Sequence, residues 1–155
     1  MVEFPPGESI ALTAGGEIDR VRVSLRVSSD QLDPEAISLA LGVPPTFAAR
    51  KGDRRRTRGG ERIQRTGVWY VQLSGAPEEW TLDEGIAALL DRLPSQQAVW
   101  DALAEKHKLD VYCGLHLSEW NRGAELPPAL LRRLADQHLT LLLDIYYEGT
   151  EDAAS

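Results

Sequence analysis

Residues 20–27 read Arg20-Val21-Arg22-Val23-Ser24-Leu25-Arg26-Val27, an unbroken alternation of polar and apolar side chains. Because successive side chains of a strand point to opposite faces, this period predicts a β-strand with one buried face. Residues 109–117 repeat the pattern, with apolar side chains at every odd-numbered position. Two such strands predict a sheet that is covered on one face and open on the other.

Helix signals separate the predicted strands. Asp33 followed by Pro34 is typical of a helix start, and Thr81 with Glu84 has the spacing of a capping box. A third start signal is the proline pair at residues 127–128. Each of these signals precedes an apolar stripe with helical spacing, so we predict a helix after each.

Two further predicted strands, at residues 68–73 and 138–147, complete two strand-helix-strand halves. A helical pair joins the halves: the helix after Thr81 and a second helix with an apolar stripe at Val99, Ala102 and Leu103. This order predicts an α+β ferredoxin-like sandwich, in which a mostly antiparallel four-stranded sheet carries its helices on one face. The predicted single domain covers residues 18–148. Residues 1–17 are interpreted as an extended N-terminal appendage and residues 149–155 as a loose acidic tail.

The size and composition of the chain restrict its function. With 155 residues, 43% of them hydrophobic, it can form one core. Cys113 is the only cysteine, so no intrachain disulfide can form. We find no secretory leader and no apolar run near the ~20 residues that span a bilayer, so we expect a soluble, cytoplasmic protein. No Gly-x-Ser-x-Gly, P-loop or dinucleotide motif appears, so we expect no catalytic activity and no cofactor.

Basic residues are concentrated in one segment. Residues 50–65 hold eight basic and two acidic residues, a net charge of +6, whereas the remaining chain holds nine basic and 22 acidic residues, a net charge of −13. Such a patch can hold an anion or an acidic surface. The segment is interpreted either as a long functional or solvated loop or as a polar hairpin turning at Gly59 and Gly60. The candidate binding residues here are Arg50, Lys51, Arg54, Arg55, Arg56, Arg58 and Arg62.

The open face of the predicted sheet is a second candidate surface. It would display arginines of the first strand beside tyrosines and a histidine of the later strands, and its candidate binding residues are Arg22, Arg26, Tyr112 and His116. Exposed aromatic side chains on open sheets can stack nucleic-acid bases. The alternative is a solvated face on which Arg22 and Arg26 pair with Asp144.

A metal site is a weaker hypothesis. Cys113 and His116 have the separation of half a zinc site, and His107, His138 and Glu119 are conceivable further ligands. A structural zinc site needs four ligands, and a second closely spaced pair is missing, so we expect no metal. On a strand, Cys113 and His116 also point to opposite faces, which favours a core role for the cysteine.

Four short motifs resemble a known family. They are Leu41-Gly42-Val43-Pro44-Pro45-Thr46, Lys51-Gly52-Asp53, Gly67-Val68-Trp69 and Leu89-Leu90-x-x-Leu93, and they follow a strand and a Leu-x-Pro helix start. In this order they resemble the bacterial domain-of-unknown-function family 4279 over residues 20–147. The resemblance implies a small single-domain bacterial protein with no established activity and no catalytic residues to carry over. The charged excess between Asp53 and Gly67 is particular to this chain.

The leading interpretation is a binding module that engages a protein or anionic partner through the basic segment, the open sheet face, or both. One alternative is a nucleic-acid binder that uses the arginine-rich segment, although a pI near 5.0 argues against a general nucleic-acid coat protein. The other is an enzyme or metal protein centred on His116. No membrane association is expected, and the sequence leaves the oligomeric state open.

Overall fold

A computed structural model describes residues 16–74 and 80–147. Within these residues the chain forms seven strands and four helices. In chain order they are β1 (Arg20–Ser29), α1 (Pro34–Leu41), β2 (Phe47–Ala49), β3 (Arg54–Thr57), β4 (Gly60–Ile63), β5 (Gly67–Gln72), α2 (Leu82–Asp91), α3 (Gln97–Lys106), β6 (Lys108–Leu117), α4 (Pro128–Asp136) and β7 (Thr140–Tyr147).

The main sheet has five strands in the order β2-β5-β1-β6-β7. The central strand β1 pairs antiparallel with β5 and β6, whereas β6 and β7 are parallel because α4 carries the chain back between them. The α+β class is confirmed, and the sheet is mixed, with three antiparallel strand pairings and one parallel pairing. The expectation of four strands is wrong, because the three-residue strand β2 adds an edge strand beside β5.

The ferredoxin-like arrangement is not confirmed. After α1 the chain runs through β2 and a separate hairpin before β5 returns antiparallel beside β1. Only β6, α4 and β7 form a strand-helix-strand unit with adjacent parallel strands.

The core lies between the sheet and its helices. The inward side chains of β1, β5 and β6 form one apolar cluster with Ile37 of α1, Ile86 of α2, Trp100 of α3 and Leu130 of α4. The opposite face of the sheet carries no helix among the described residues, as the alternation predicted. Burial of this apolar surface is the main stabilising contribution to the fold.

The structure has a helix at each of the three predicted starts, and two of these starts have a capping hydrogen bond. The Asp33 carboxylate accepts a hydrogen bond from the Glu35 backbone N–H at 3.3 Å, and Pro34 occupies the first turn. Glu84 accepts from the Thr81 backbone N–H at 3.1 Å, as part of the capping box that the spacing predicted. These bonds satisfy N–H groups that the first helical turn leaves without a partner.

The basic segment forms a two-stranded hairpin, β3–β4, outside the main sheet. Arg58 and Gly59 make the turn, and Gly60 follows with a φ of +114°, a value that favours glycine. At the base of the hairpin, the Gln64 N–H donates to the Asp53 carbonyl at 2.8 Å. Of the two interpretations of this segment, the polar hairpin is therefore correct.

The edge strand β7 is covered over only part of its length. Leu139, just before it, is buried against the helices, but Leu143 and Ile145 are 47% and 61% exposed.

No helix in the described parts of the chain is long and apolar enough to cross a membrane. The predicted acidic tail and most of the predicted appendage lie outside the described residues, although Glu17 forms an isolated bridge with Gly123.

Candidate functional site

The basic hairpin, residues 54–63, places arginines on both of its faces. In its register Arg55 lies opposite Arg62, and Arg56 lies opposite Glu61. Every residue of the hairpin except the half-buried Thr57 is exposed. Cross-strand pairs of like charge are unfavourable, so the Arg55 and Arg62 pairing does not stabilise the hairpin.

Most of these arginines are not neutralised. Arg54 lies 3.9 Å from the Glu61 carboxylate, at the limit of an ion pair. Within residues 16–74 and 80–147, no carboxylate lies within 4.0 Å of four of the arginines in and next to the hairpin, namely Arg56, Arg58, Arg62 and Arg65. The hairpin therefore presents a concentrated positive charge to solvent.

Arg50 and Lys51 have a different role from the rest of the predicted basic set. The Arg50 guanidinium donates to the Asp33 carboxylate at 2.8 Å and to Glu35, and the Lys51 ammonium donates to Asp30 at 2.9 Å. Hydrogen bonds from Lys51 and from a neighbouring threonine hydroxyl hold the pKa of Asp30 below its ordinary value. These two basic residues tie the base of the hairpin to the loop between β1 and α1.

One row of side chains crosses the open face from its β2 edge. The rings of Phe47 and Tyr70 lie with their centroids 5.8 Å apart, on paired positions of β2 and β5. Arg26 of β1 lies opposite Tyr70 of β5 on one side and opposite Asp110 of β6 on the other. The guanidinium of Arg55 stacks over the Phe47 ring at 4.7 Å, so the basic hairpin touches the edge of this row.

Arg26 is fixed at the centre of the open face. Its Nε–H donates to Asp110 Oδ1 at 2.8 Å, and its guanidinium lies 4.9 Å from the centre of the Tyr112 ring. Asp110 is only 2% exposed, so its charge is compensated by this ion pair. The expectation that Arg26 pairs with Asp144 is wrong, because the β1–β6 register places Asp110 opposite Arg26.

Asp144 is held by two tyrosines. The Tyr112 and Tyr146 hydroxyls both donate to Asp144 Oδ2. These bonds hold the pKa of Asp144 below its ordinary value, and the bond to Asp144 raises the pKa of Tyr112 well above its ordinary range. The Tyr112 phenol therefore stays protonated at neutral pH and is unsuited to act as a base.

The far end of the open face holds His116 and two arginines. The His116 ring stacks on Tyr146 with centroids 4.9 Å apart, and Arg20 Nη2 lies 3.5 Å from His116 Nδ1. Arg22 lies opposite Gly114, which is buried beside the side chains of Arg22 and Tyr112. Among the described residues no carboxylate lies within 4.0 Å of Arg22, so it does not pair with Asp144.

The predicted zinc half-site is split by the sheet. Cys113 is fully buried on the core face, and His116 lies on the open face. Burial raises the pKa of the Cys113 thiol to about 12, so it stays protonated. In the described parts of the chain, no group of three or more His, Cys, Asp or Glu side chains could hold a metal ion.

The other conceivable ligands have partners elsewhere. The Ser29 hydroxyl lies 2.7 Å from His107 Nδ1, and burial lowers the pKa of this histidine. His138 Nε2 lies 2.7 Å from the Asp101 carboxylate, and Glu119 pairs with an arginine of its own loop. These residues lie in separate places rather than around a common centre.

The structure gathers the predicted open-face residues Arg22, Arg26, Tyr112 and His116 on one surface. Sequence reasoning missed Phe47 and the link it makes between hairpin and sheet, because β2 is too short to show an alternation. It also missed Asp110 as the partner of Arg26. The even-numbered position of Asp110 in its strand predicts that it lies on the open face, but only the register of β1 and β6 shows that it lies opposite Arg26.

Comparison with known proteins gives a family. The family model for a domain of unknown function (DUF4279) matches residues 19–148, which is most of the chain. The chain belongs to this family. Neither a curated protein nor a solved structure matches it. The description of the family assigns no activity, so functional argument has to come from the hairpin and the open face of this DUF4279 domain.

Proposed function

We propose that this domain is a binding module that engages an anionic partner through the basic hairpin, with the open sheet face beside it. The observation that supports this most directly is the set of exposed hairpin arginines without carboxylate partners, in a chain whose net charge is −7. Guanidinium groups bind carboxylate and phosphate oxygens in bidentate geometry. A charge of this density next to a flat, open sheet face suits a partner that extends across both.

Folding does not account for the hairpin. None of its residues belongs to the buried core, and Ile63, its one large aliphatic residue, is 61% exposed. Exposed charges contribute little to stability, and a turn that merely joins β2 to β5 needs far fewer residues. We therefore attribute the arginines to binding.

We propose no catalytic role for Asp110, Asp144 and Tyr112 of the open face. Asp110 is engaged by Arg26, Asp144 accepts from two hydroxyls, and the Tyr112 phenol stays protonated. A general base needs a free acceptor with a pKa near the working pH, and these three groups do not provide one. We also propose a cytoplasmic location, which is compatible with a single buried free thiol that needs no oxidising compartment.

Retention on immobilised heparin, a general polyanion, tests the proposal. The variant removes four hairpin charges: R55Q, R56Q, R58Q and R62Q. The matched control removes four exposed charges elsewhere and so has the same net charge: R92Q, K106Q, K108Q and R132Q.

We expect the wild type and the control to be retained at low salt, and the hairpin variant to elute at markedly lower salt, because each lost contact to a sulfate group weakens the electrostatic binding. Equal elution of the hairpin variant and the wild type would refute the proposal. So would equal loss of retention in the variant and the control, since that result reports net charge rather than a site.

A further inference from the structure

We infer that the anionic partner is a single-stranded nucleic acid whose bases stack along the open face; this inference rests on the binding function proposed above. The surface that carries it, named here the stacking path, consists of five side chains: Arg55, Phe47, Tyr70, Arg26 and Tyr112. Two arginines and three aromatic rings are interleaved along this path, which runs from the basic hairpin to the centre of the sheet.

The members of the stacking path are in contact or adjacent. Arg55 stacks over Phe47 at 4.7 Å, the Phe47 and Tyr70 rings lie 5.8 Å apart, and Arg26 stacks over Tyr112 at 4.9 Å. Tyr70 and Arg26 are paired positions of neighbouring strands. The path crosses β2, β5, β1 and β6, a width of about 14 Å at the usual spacing between strands.

The planar side chains of the stacking path favour a nucleic acid over an acidic protein as the partner. Every base has a π-face that stacks on aromatic rings and on guanidinium planes, and such stacking contributes to single-strand binding without sequence preference. An acidic peptide would use the arginine charges but would not stack on the half-buried Tyr70 ring or on the guanidinium plane that covers Phe47. The interleaving of rings and guanidinium planes therefore favours bases.

Positively charged side chains lie where the phosphate backbone of a bound strand would run past its stacked bases. At one end of the path are the hairpin arginines, and at the other end Arg20 and Arg22 lie on the same face of β1. Asp110 and Asp144, the carboxylates that the described strands place on this face, are engaged, Asp110 by Arg26 and Asp144 by two tyrosyl hydroxyls. A duplex keeps its bases stacked on one another and cannot cover the path, so the inferred partner is single-stranded.

Fluorescence anisotropy with matched probes tests the inference. The probes are single-stranded DNA and RNA of one mixed sequence, an abasic strand with the same number of phosphates, and an oligoglutamate peptide of equal charge, each about twelve units long, within the usual site size of single-strand binders. At about 50 mM salt we expect a base-containing strand to bind roughly tenfold or more tightly than the abasic strand.

Two substitutions separate stacking from charge. Tyr70→Leu removes a ring but no charge, and we expect it to weaken binding of the base-containing strand about tenfold while binding of the abasic strand changes less than about twofold. Arg55→Lys keeps the charge but removes the planar group over Phe47, and we expect a loss of about twofold to fivefold, again only for the base-containing strand. Arg132→Lys, at an exposed position of α4 outside the hairpin and the open face, is the matched control and should change neither.

The outcomes distinguish base stacking on the open face from the proposed binding of an anionic partner. Equal binding of abasic and base-containing strands would overturn the inference. Oligoglutamate binding at least as tightly as the nucleic acids would overturn it too, and would leave an acidic protein as the partner in the proposed function. Absence of binding to every probe would reject both. If Tyr70→Leu fails to fold, Arg55→Lys decides, because Arg55 is exposed; equal effects of Arg55→Lys on both strands would count against stacking.

Discussion

Strand β1 of the main sheet and strand β3 of the hairpin both hold three arginines, yet the two strands use them differently. In β1 the arginines alternate with valine and leucine side chains that are buried, so each arginine is placed by a strand that the core requires. In β3 three arginines follow one another and no side chain is buried. The same residue type is thus supported by the fold in one strand and presented to solvent in the other.

Substitutions can test this contrast between β1, which has side chains buried in the core, and the hairpin, which has none. The largest effect should come from the alternation in β6. Leu115 is 4% exposed and packs in the core, and we expect Leu115→Ala to lower the free energy of unfolding by about 2–5 kcal/mol, because it leaves a cavity. The next residue, His116, lies on the open face, and we expect His116→Ala to cost less than about 1 kcal/mol. Urea denaturation of both variants measures the difference; equal losses would contradict the assignment of an open face.

A smaller effect is expected from the ion pair at the centre of the open face. Asp110→Ala leaves the part-buried Arg26 without its acceptor, and we expect a loss of about 1–3 kcal/mol in the free energy of unfolding. Asp110→Asn is the matched control, because its amide oxygen can still accept from Arg26 Nε, and it should cost less. If the two substitutions have the same effect, the bond from Arg26 is not what makes Asp110 important.

The sequence predicted the faces of β1 and β6 because alternation directly reports burial. It did not predict that Asp110 lies opposite Arg26, since a pairing between residues 84 positions apart depends on how two strands align. Strand β2 was missed for a different reason, because Phe47–Ala49 is too short for a period to appear. The contact between Arg55 and Phe47 then depends on where the hairpin lies against the sheet, which no local pattern encodes.

A pH effect is expected at Asp144. Its pKa in the folded protein lies below the ordinary value because two tyrosyl hydroxyls donate to it. Its contribution to stability is therefore fully present above its unfolded pKa and is lost as the pH falls through the folded pKa. Tyr112→Phe removes one donor, so we expect the pKa of Asp144 to rise toward its ordinary value.

An NMR titration of the Asp144 carboxyl in the wild type and in Tyr112→Phe measures this change. Leu142→Val, on the same strand and without a hydrogen bond to Asp144, is the control and should leave the titration where it is. An unchanged pKa in Tyr112→Phe would show that the hydroxyl of Tyr112 does not hold the carboxylate.

The smallest effect on stability, and the most direct test, concerns the hairpin itself. The measurement is a thermal melt of the variant with R55Q, R56Q, R58Q and R62Q, followed by heparin elution of the same preparation. We predict a melting temperature within about 3 °C of the wild type, because exposed charges contribute little to folding, together with a marked loss of retention. A large drop in melting temperature would show that the arginines support the fold, and unchanged retention would show that they are not the binding site; either result would contradict the account.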